Sequence, residues 1–135
     1  MRVETPFQPA YAIPQEFEDF RETIRKMAVE RVAPRAQEID EKAEYPHDIR
    51  ELFASHDLMG LPFSERYGGT GTGTLMLNIA VEEIAKACAS SALILMIQEL
   101  GTLPLNLFGT DEQKERFLPK CATGEWSPAL SLIHI

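Results

Sequence analysis

The amino-acid sequence predicts an all-α fold of about six helices packed as a bundle. First, apolar residues recur at steps of three and four along most of the chain, which is the spacing of one helix face. Second, no stretch before residue 126 alternates apolar and polar residues over strand length. Third, glycines, prolines and capping residues divide the periodic stretches into helix-sized pieces. This combination is typical of a helical bundle.

The composition is that of a globular domain. The chain has 135 residues, 44% of them hydrophobic and 25% charged, and a chain of this length buries roughly two thirds of its unfolded surface. Cys88 and Cys121 form neither a CxxC pair nor a zinc spacing. We therefore predict no disulfide, no metal site and a reducing compartment.

Charge and hydropathy exclude two classes of partner. The net charge of −8 opposes a phosphate backbone, so nucleic acid is not expected. The longest apolar run, residues 92–97, is far short of the ~20 residues that span a bilayer, so we predict a buried helix and no membrane span. Residues 1–15 contain three prolines and no apolar signal core, and we interpret them as an extended arm.

The first helix carries an apolar stripe opposite a charged face. The stripe consists of Phe17, Phe20, Ile24, Met27, Ala28 and Val32. We expect Pro34 to kink or end this helix. Asp48 is placed to cap a second helix, and residues 58–61 then form a tight buried exit.

The third to fifth helices are more apolar. Residues 75–88 predict a helix whose wide apolar face needs neighbours on several sides. Ser90 or Ser91 can cap a fourth helix over residues 92–100. Pro104 suits the first turn of a short fifth helix that ends at Gly109.

The sixth helix has the clearest start signal. Gly109 can end the preceding helix at positive φ, Thr110 can cap the next one, and Gln113 completes a capping box. The predicted helix runs over residues 112–120, with acidic residues in the first turn, where the helix dipole favours them.

The residues that could carry chemistry have ordinary structural interpretations. The glycine-rich loop at residues 66–74 lacks GxGxxG, a preceding strand and a P-loop ending, which favours a connecting turn. The candidate acids and metal ligands have no suitable spacing, so we expect solvated surface for them. They are His47, His56, Glu82 and Glu83. Cys88 has no histidine nearby in sequence, and the Ser90–Ser91 pair has no nucleophile-elbow motif around it. We therefore expect Cys88 to pack in the core and the serines to cap a helix.

Three apolar residues on the later helices have two interpretations. Met96, Leu100 and Leu103 could pack in the core or form the wall of an apolar ligand channel. The pattern alone favours the core, because such stripes usually pack inside.

Three segments together resemble the acyl-CoA dehydrogenase family. They are residues 32–40, the Glu-x-Tyr-Gly-Gly-x-Gly loop within residues 58–71, and Gly-Thr-x-Glu-Gln-Lys at the start of residues 109–124. Their order and spacing are similar to the family's amino-terminal helical domain, here residues 16–129.

The resemblance implies an activity for the intact protein. Family members hold FAD between two further domains, remove an α-proton from an acyl-CoA thioester with a carboxylate, and pass a β-hydride to the flavin. An electron-transfer flavoprotein then reoxidises the flavin. The resemblance further implies a cytoplasmic homotetramer. The carboxylate lies downstream in the family, so this chain is expected to be inactive alone, with no catalytic residue and no assigned FAD contact.

The resemblance also implies a substrate site. It places the fourth helix at the distal end of the acyl chain, which makes Met96 and Leu100 candidate substrate-binding residues. Residues 130–135 depart from the family and resemble the translation of a transposase adapter from sequencing libraries, so we interpret them as a non-native tail that includes His134.

Two alternatives remain. The chain could be a stand-alone helical module that uses the same faces to bind a protein, or the same domain from a related flavin oxidase or monooxygenase. Without the family's middle domain, the wide apolar faces of the predicted third to fifth helices would be partly exposed, so we expect this chain to self-associate.

Overall fold

The computed structural model describes residues 12–134, which form six α-helices, short turns and no β-strand. The helices are α1 (Gln15–Met27), α2 (Ala33–Lys42), α3 (His47–Ser55), α4 (Gly73–Ala87), α5 (Ala89–Phe108) and α6 (Asp111–Ala122). A π-helical turn (Ala28–Val32) joins α1 to α2, and two 3₁₀ turns (Leu58–Gly60 and Glu65–Tyr67) precede α4. The predicted all-α fold is confirmed. Residues 1–11 of the predicted arm lie outside the described range.

Helix α5 is the centre of the packing. It lies against α4 on one side and α6 on another, while α4 also packs against α1. The main core includes the fully buried Phe53, Ile84 and Leu95, and burial of each such side chain contributes roughly 1.5–3 kcal/mol. A smaller cluster around Phe63 and Leu118 joins the glycine-rich loop to α6.

Pro34 was predicted to kink or end the first helix, and the second of these alternatives is wrong. The helical backbone continues through the π turn into α2, and Pro34 lies in the first turn of α2. A first-turn residue has no intrahelical partner for its N–H, so proline is tolerated there. The π turn supplies the change of hydrogen-bond register that makes this possible.

Asp48 does not cap α3, contrary to the sequence prediction. The helix begins one residue earlier, at His47, and no side chain caps it. The Asp48 carboxylate instead accepts hydrogen bonds from the Arg35 guanidinium at 2.8 and 3.3 Å. This ion pair lowers the pKa of Asp48 and ties α3 to α2. Residues 58–61 are buried, as predicted.

The predicted fourth and fifth helices are one helix, α5. Neither Ser90 nor Ser91 caps it, since it begins at Ala89, and the buried Ser91 hydroxyl donates to Cys88 Sγ at 3.2 Å. Pro104 lies inside the helix. Leu95 packs in the main core and Leu105 packs against the smaller cluster, so contacts on both sides of the proline hold the helix together.

The boundary between α5 and α6 is partly as predicted. The capping box is present, with Thr110 N donating to Gln113 Oε1 at 2.9 Å and Gln113 N to Thr110 Oγ1 at 3.2 Å. Gly109, however, has φ −66°, so the predicted positive φ is wrong. Glycine is required at position 109 for steric reasons, because a Cβ here would lie 2.5 Å from the Leu105 carbonyl oxygen.

Candidate functional site: the outer stripe of α5

Helix α5 has a buried face and an apolar exposed face. The buried face carries Leu95 and the polar side chains Ser91, Gln98 and Thr102. The exposed side chains follow one another at steps of one, three or four residues, and we call them the outer stripe. The outer stripe consists of Leu93, Met96, Ile97, Leu100, Leu103 and Leu107. Their exposed fractions run from 37% to 60%, so a continuous apolar surface faces outward.

A groove runs beside the outer stripe. It has a volume of about 500 Å³ and shares Leu93 and Ile97 with the stripe. Its opposite wall comes from Tyr45 and Pro46, in the turn between α2 and α3, and from Pro128 after α6. A predominantly apolar groove of this size suits an apolar ligand or a hydrophobic segment of a protein.

The structure excludes one of the two interpretations of Met96, Leu100 and Leu103. They are 42%, 44% and 39% exposed, so the interpretation as core is wrong. All three lie on the outer stripe, but none of them lines the groove, whose stripe residues are Leu93 and Ile97. Their predicted role as a substrate wall stays a prediction, and their exposure is compatible with it.

The groove is the part of this site that sequence reasoning missed. Its walls come from residues about 45, 93 and 128, which no local pattern connects. Pro128 comes next to α5 because Gly101 has no side chain, and a Cβ at Gly101 would lie 2.7 Å from Pro128 Cβ. An isolated glycine within a helical pattern is the only signal that could have suggested this close approach.

A second cluster, at the junction of α1 and α4, is charged. Glu83 was expected at the solvated surface, but its side chain is completely buried. It accepts hydrogen bonds from Arg21 at 3.1 Å, from Arg25 at 3.0 and 3.3 Å, and from Lys86 at 2.8 Å. Its neighbour Glu82 is half-exposed and pairs with Arg21 at 2.8 Å.

These cations determine the protonation state of Glu83. Hydrogen bonding from Arg25 is the largest cause that lowers the pKa of Glu83 to about 2, with Lys86 and Arg21 adding to it against the cost of burial. A carboxylate held ionised in this way is a poor proton acceptor at neutral pH. Glu83 therefore has a structural role, and it joins α1 to α4.

The glycine-rich loop is a connecting turn, as interpreted from its sequence. The amide N–H groups of Gly69, Thr70 and Gly71 donate to backbone carbonyls at 3.0–3.1 Å. A Cβ at Gly69 would lie 2.2 Å from the Phe63 carbonyl oxygen, so this glycine is required for packing. Because these N–H groups are used internally, the loop does not offer them to a phosphate.

The other candidate residues from the sequence, the two histidines and the two cysteines, do not form a metal or catalytic cluster within residues 12–134. His47 and His56 are exposed, and within residues 12–134 no group of three His, Cys, Asp or Glu side chains is arranged to hold a metal ion. Cys88 and Cys121 are free and buried, and burial raises the pKa of the Cys121 thiol. Within the described range, Leu132 and Ile133 of the predicted non-native tail are exposed.

Helix α5 has the length and hydropathy of a membrane-spanning segment. Its 20 residues reach a mean hydropathy of 1.3, which is long and apolar enough to cross a bilayer by length and composition. The prediction of no membrane span, made from the shorter run at residues 92–97, is therefore not supported by this measure. Core helices of soluble proteins pass the same test, so it is weak evidence for a membrane role.

Fold and site together define a helical domain that presents one apolar helix face beside a groove. The family model for the N-terminal domain of acyl-CoA dehydrogenases matches residues 14–125. The chain belongs to this family.

Individual relatives agree with this assignment. A probable acyl-CoA dehydrogenase of Bacillus subtilis, YngJ, is 37% identical over 84% of this chain and 30% of its own length. Cyclohex-1-ene-1-carbonyl-CoA dehydrogenase of Geobacter metallireducens is 42% identical over 73% of this chain and 26% of its own length. The chain thus matches less than a third of either relative.

A solved structure shares the fold. It comes from work on the electron transferring flavoprotein of Acidaminococcus fermentans and flavin-based electron bifurcation. The TM-score is 0.80 at 25% sequence identity, over 88% of this chain and 32% of that chain. The helical arrangement described above is therefore one already seen in a larger protein.

Proposed function

We propose that this chain is the helical entry domain of an FAD-dependent acyl-CoA dehydrogenase, which oxidises the α,β-bond of an acyl-CoA thioester. The observation that carries the proposal is the outer stripe of α5. Six neighbouring apolar side chains, each 37–60% exposed, are unusual on a domain surface unless they face a ligand or another domain. Family membership and the names of the relatives support acyl-CoA as that ligand.

The residues of this chain would contribute contacts with the acyl chain. Met96 and Leu100 lie one helical turn apart, so both side chains point to the same side of α5. In this position they would contact the distal end of an acyl chain, exclude water from it and limit its length. Larger side chains here would favour shorter substrates.

The flavin would supply hydride acceptance when bound, and we place it mainly outside this chain. The glycine-rich loop is the segment whose composition suggests a phosphate cradle, and the N–H groups of Gly69, Thr70 and Gly71 donate to backbone carbonyls. Glu83, the buried acid of α4, is held ionised by its three cations. We therefore expect the 135-residue chain alone to have no dehydrogenase activity.

The proposal extends to the wider setting of the enzyme. We expect a cytoplasmic homotetramer whose flavin is reoxidised by an electron-transfer flavoprotein. The presence of a flavoprotein with the same helical fold in an electron-transfer system supports a partner of this kind.

The test uses the full-length protein that contains this domain. We expect Met96→Ala and Leu100→Ala to shift the dependence of kcat/KM on acyl-chain length toward longer substrates, by about 1–3 kcal/mol per methylene contact, or roughly 10- to 200-fold. Val29→Ala is the matched control, since Val29 is also an exposed apolar residue, at 62%, but lies on the turn between α1 and α2. If both α5 variants left the chain-length dependence of kcat/KM unchanged, the proposed contact of Met96 and Leu100 with the acyl chain would be wrong.

The same stripe also favours a second candidate, a helical module that binds a protein. The discriminating measurement is titration of the chain with acyl-CoA thioesters of increasing length while the outer stripe is monitored by methyl NMR. Chain-length-dependent shifts at Met96 and Leu100 favour the enzyme, and no response to any thioester favours the binding module.

A further inference from the structure

The segment that follows α6 lies across α5 as a strap, which we define as residues 124–128. Gln98, on the buried face of α5, is only 2% exposed. Its Nε2 donates to the Cys121 carbonyl oxygen at 2.5 Å and to the Trp126 carbonyl oxygen at 3.1 Å. One side chain thus joins α5, the end of α6 and the middle of the strap.

Two further contacts hold the strap on either side of this amide. Pro128 lies against Gly101, where any Cβ would overlap it. Arg50 of α3 donates from Nε to Ser127 Oγ at 3.0 Å and from Nη2 to the Gly124 carbonyl oxygen. The strap is therefore fixed at its beginning, middle and end.

The chemistry at position 98 is restrictive. Two carbonyl oxygens converge on one buried point, where a polar group left without a partner is costly. An amide NH₂ carries two N–H donors and reaches both carbonyls without introducing a charge. A carboxylate of the same size carries no donor and would repel both oxygens.

We infer that Gln98 is a positioning residue: it fixes the direction in which the chain leaves this domain relative to the outer stripe on the same helix. The attachment of the strap to α5 by Gln98, which we call the lock, follows from the hydrogen bonds described above. Its relevance to catalysis rests on the proposed function, because it would then set the distance between the acyl wall at Met96 and Leu100 and whatever follows residue 128. Gln98 touches neither of these two residues through its amide and would act through the strap.

The first experiment uses the chain itself and no substrate. Trp126 is its single tryptophan and lies in the strap, so its fluorescence reports the strap alone. In Gln98→Glu at a pH of about 7.5 we expect red-shifted, less anisotropic Trp126 emission with unchanged far-UV circular dichroism. Hydrogen exchange of the Trp126 amide, which donates to the Lys120 carbonyl oxygen at 3.0 Å, should be about tenfold faster.

A pH profile separates a lock from a general packing defect. Burial beside two carbonyl oxygens raises the pKa of a carboxyl group at position 98. The protonated form can donate one hydrogen bond, so the Trp126 signal of Gln98→Glu should return toward the wild-type value as the pH falls from about 7.5 to about 5. Gln98→Met, which has no donor, should stay released at both pH values. Glu99→Gln, a change at the next residue of α5, should leave Trp126 unchanged.

A second pair of variants tests the strap without touching Gln98. Gly101→Ala should displace Pro128 and alter Trp126 emission, and adding Pro128→Gly should partly restore the emission by making room for the methyl group. Wild-type Trp126 signals in folded Gln98→Glu, or in Gly101→Ala, would overturn the lock.

The measurement of catalysis that tests Gln98 is separate from the measurement of chain-length preference that tests Met96 and Leu100. In the full-length protein, Gln98→Glu should lower kcat by a similar factor for every acyl-chain length and leave the rank order of kcat/KM unchanged. Unchanged kcat in a variant whose strap is released would overturn the positioning role. A shifted chain-length profile in Met96→Ala would still support the acyl wall in that case.

Discussion

Helices α4 and α5 depart in opposite directions from the usual placement of charged residues outside and apolar residues inside. On α4, the charged Glu83 is completely buried, and three cations surround it. On α5, the outer stripe leaves Met96, Leu100 and their apolar neighbours about half-exposed. The charge on α4 is compensated within the domain, whereas the described residues provide no cover for the stripe.

This difference separates a structural role from a functional one. A buried carboxylate that has all its partners nearby joins α1 to α4, and removing one member of such a cluster is destabilising. An apolar surface without a partner gains free energy when something covers it. The first feature should be visible in the stability of the domain, and the second in what the domain binds.

The largest expected effect is on the charged side of this comparison. Glu83→Gln should lower the free energy of unfolding at pH 7 by roughly 2–3 kcal/mol, because three cations lose their ionised acceptor. Urea denaturation followed by circular dichroism measures this loss. The matched control is Glu82→Gln, whose half-exposed carboxylate should contribute less than about 1 kcal/mol. Equal effects at the two positions would show that burial does not distinguish the two acids.

The same carboxylate predicts a dependence on pH. Because the pKa of Glu83 is lowered from 4.5 to about 2 in the folded state, its contribution is fully present above pH 4.5 and is lost as the pH falls through the folded pKa. The stability difference between wild type and Glu83→Gln should therefore shrink by about 2 kcal/mol between pH 7 and pH 3.

Urea unfolding of both proteins across this pH range provides the measurement. Other carboxylates with lowered pKa, such as Asp48, are present in both proteins, so their effect largely cancels in the difference. A difference that stays constant down to pH 3 would mean that Glu83→Gln acts through packing and not through the charge.

The comparison also shows which features a sequence can predict. The all-α class, the Thr110–Gln113 capping box and the buried exit at residues 58–61 were predictable, because each depends on residues within a few positions of one another. The outer stripe was predictable as apolar, and as partly exposed where no further domain covers it, but the particular side chains left uncovered were not, since periodicity does not show what covers each residue.

The features that were missed depend on distant residues. Glu83 is buried only because Arg21 and Arg25 approach it from a helix about sixty positions earlier. The helix α5 passes through Pro104 because packing on both sides outweighs the local cost of the proline, roughly 3 kcal/mol. The groove requires Pro128 to lie on Gly101, which no pattern of spacing indicates.

The smallest expected effect on stability belongs to the apolar side of the comparison. Replacing Leu103 and Leu107 together with glutamine should lower the free energy of unfolding by no more than about 1 kcal/mol per residue, because Leu103 is 39% exposed and Leu107 is 60% exposed. Light scattering at micromolar concentration should nevertheless show that the wild-type chain self-associates and that the double variant is more nearly monomeric.

The control for this experiment is Val29→Gln, which removes an apolar side chain about as exposed as Leu107 but away from α5, and it should leave association unchanged. A wild-type chain that is monomeric under these conditions would contradict the idea that the outer stripe needs a cover. A stability loss of several kcal/mol in the double variant would mean that the stripe contributes to the fold. In either case the contrast between α4 and α5 would no longer separate structure from function. Association that weakens while stability holds would assign the stripe to binding alone.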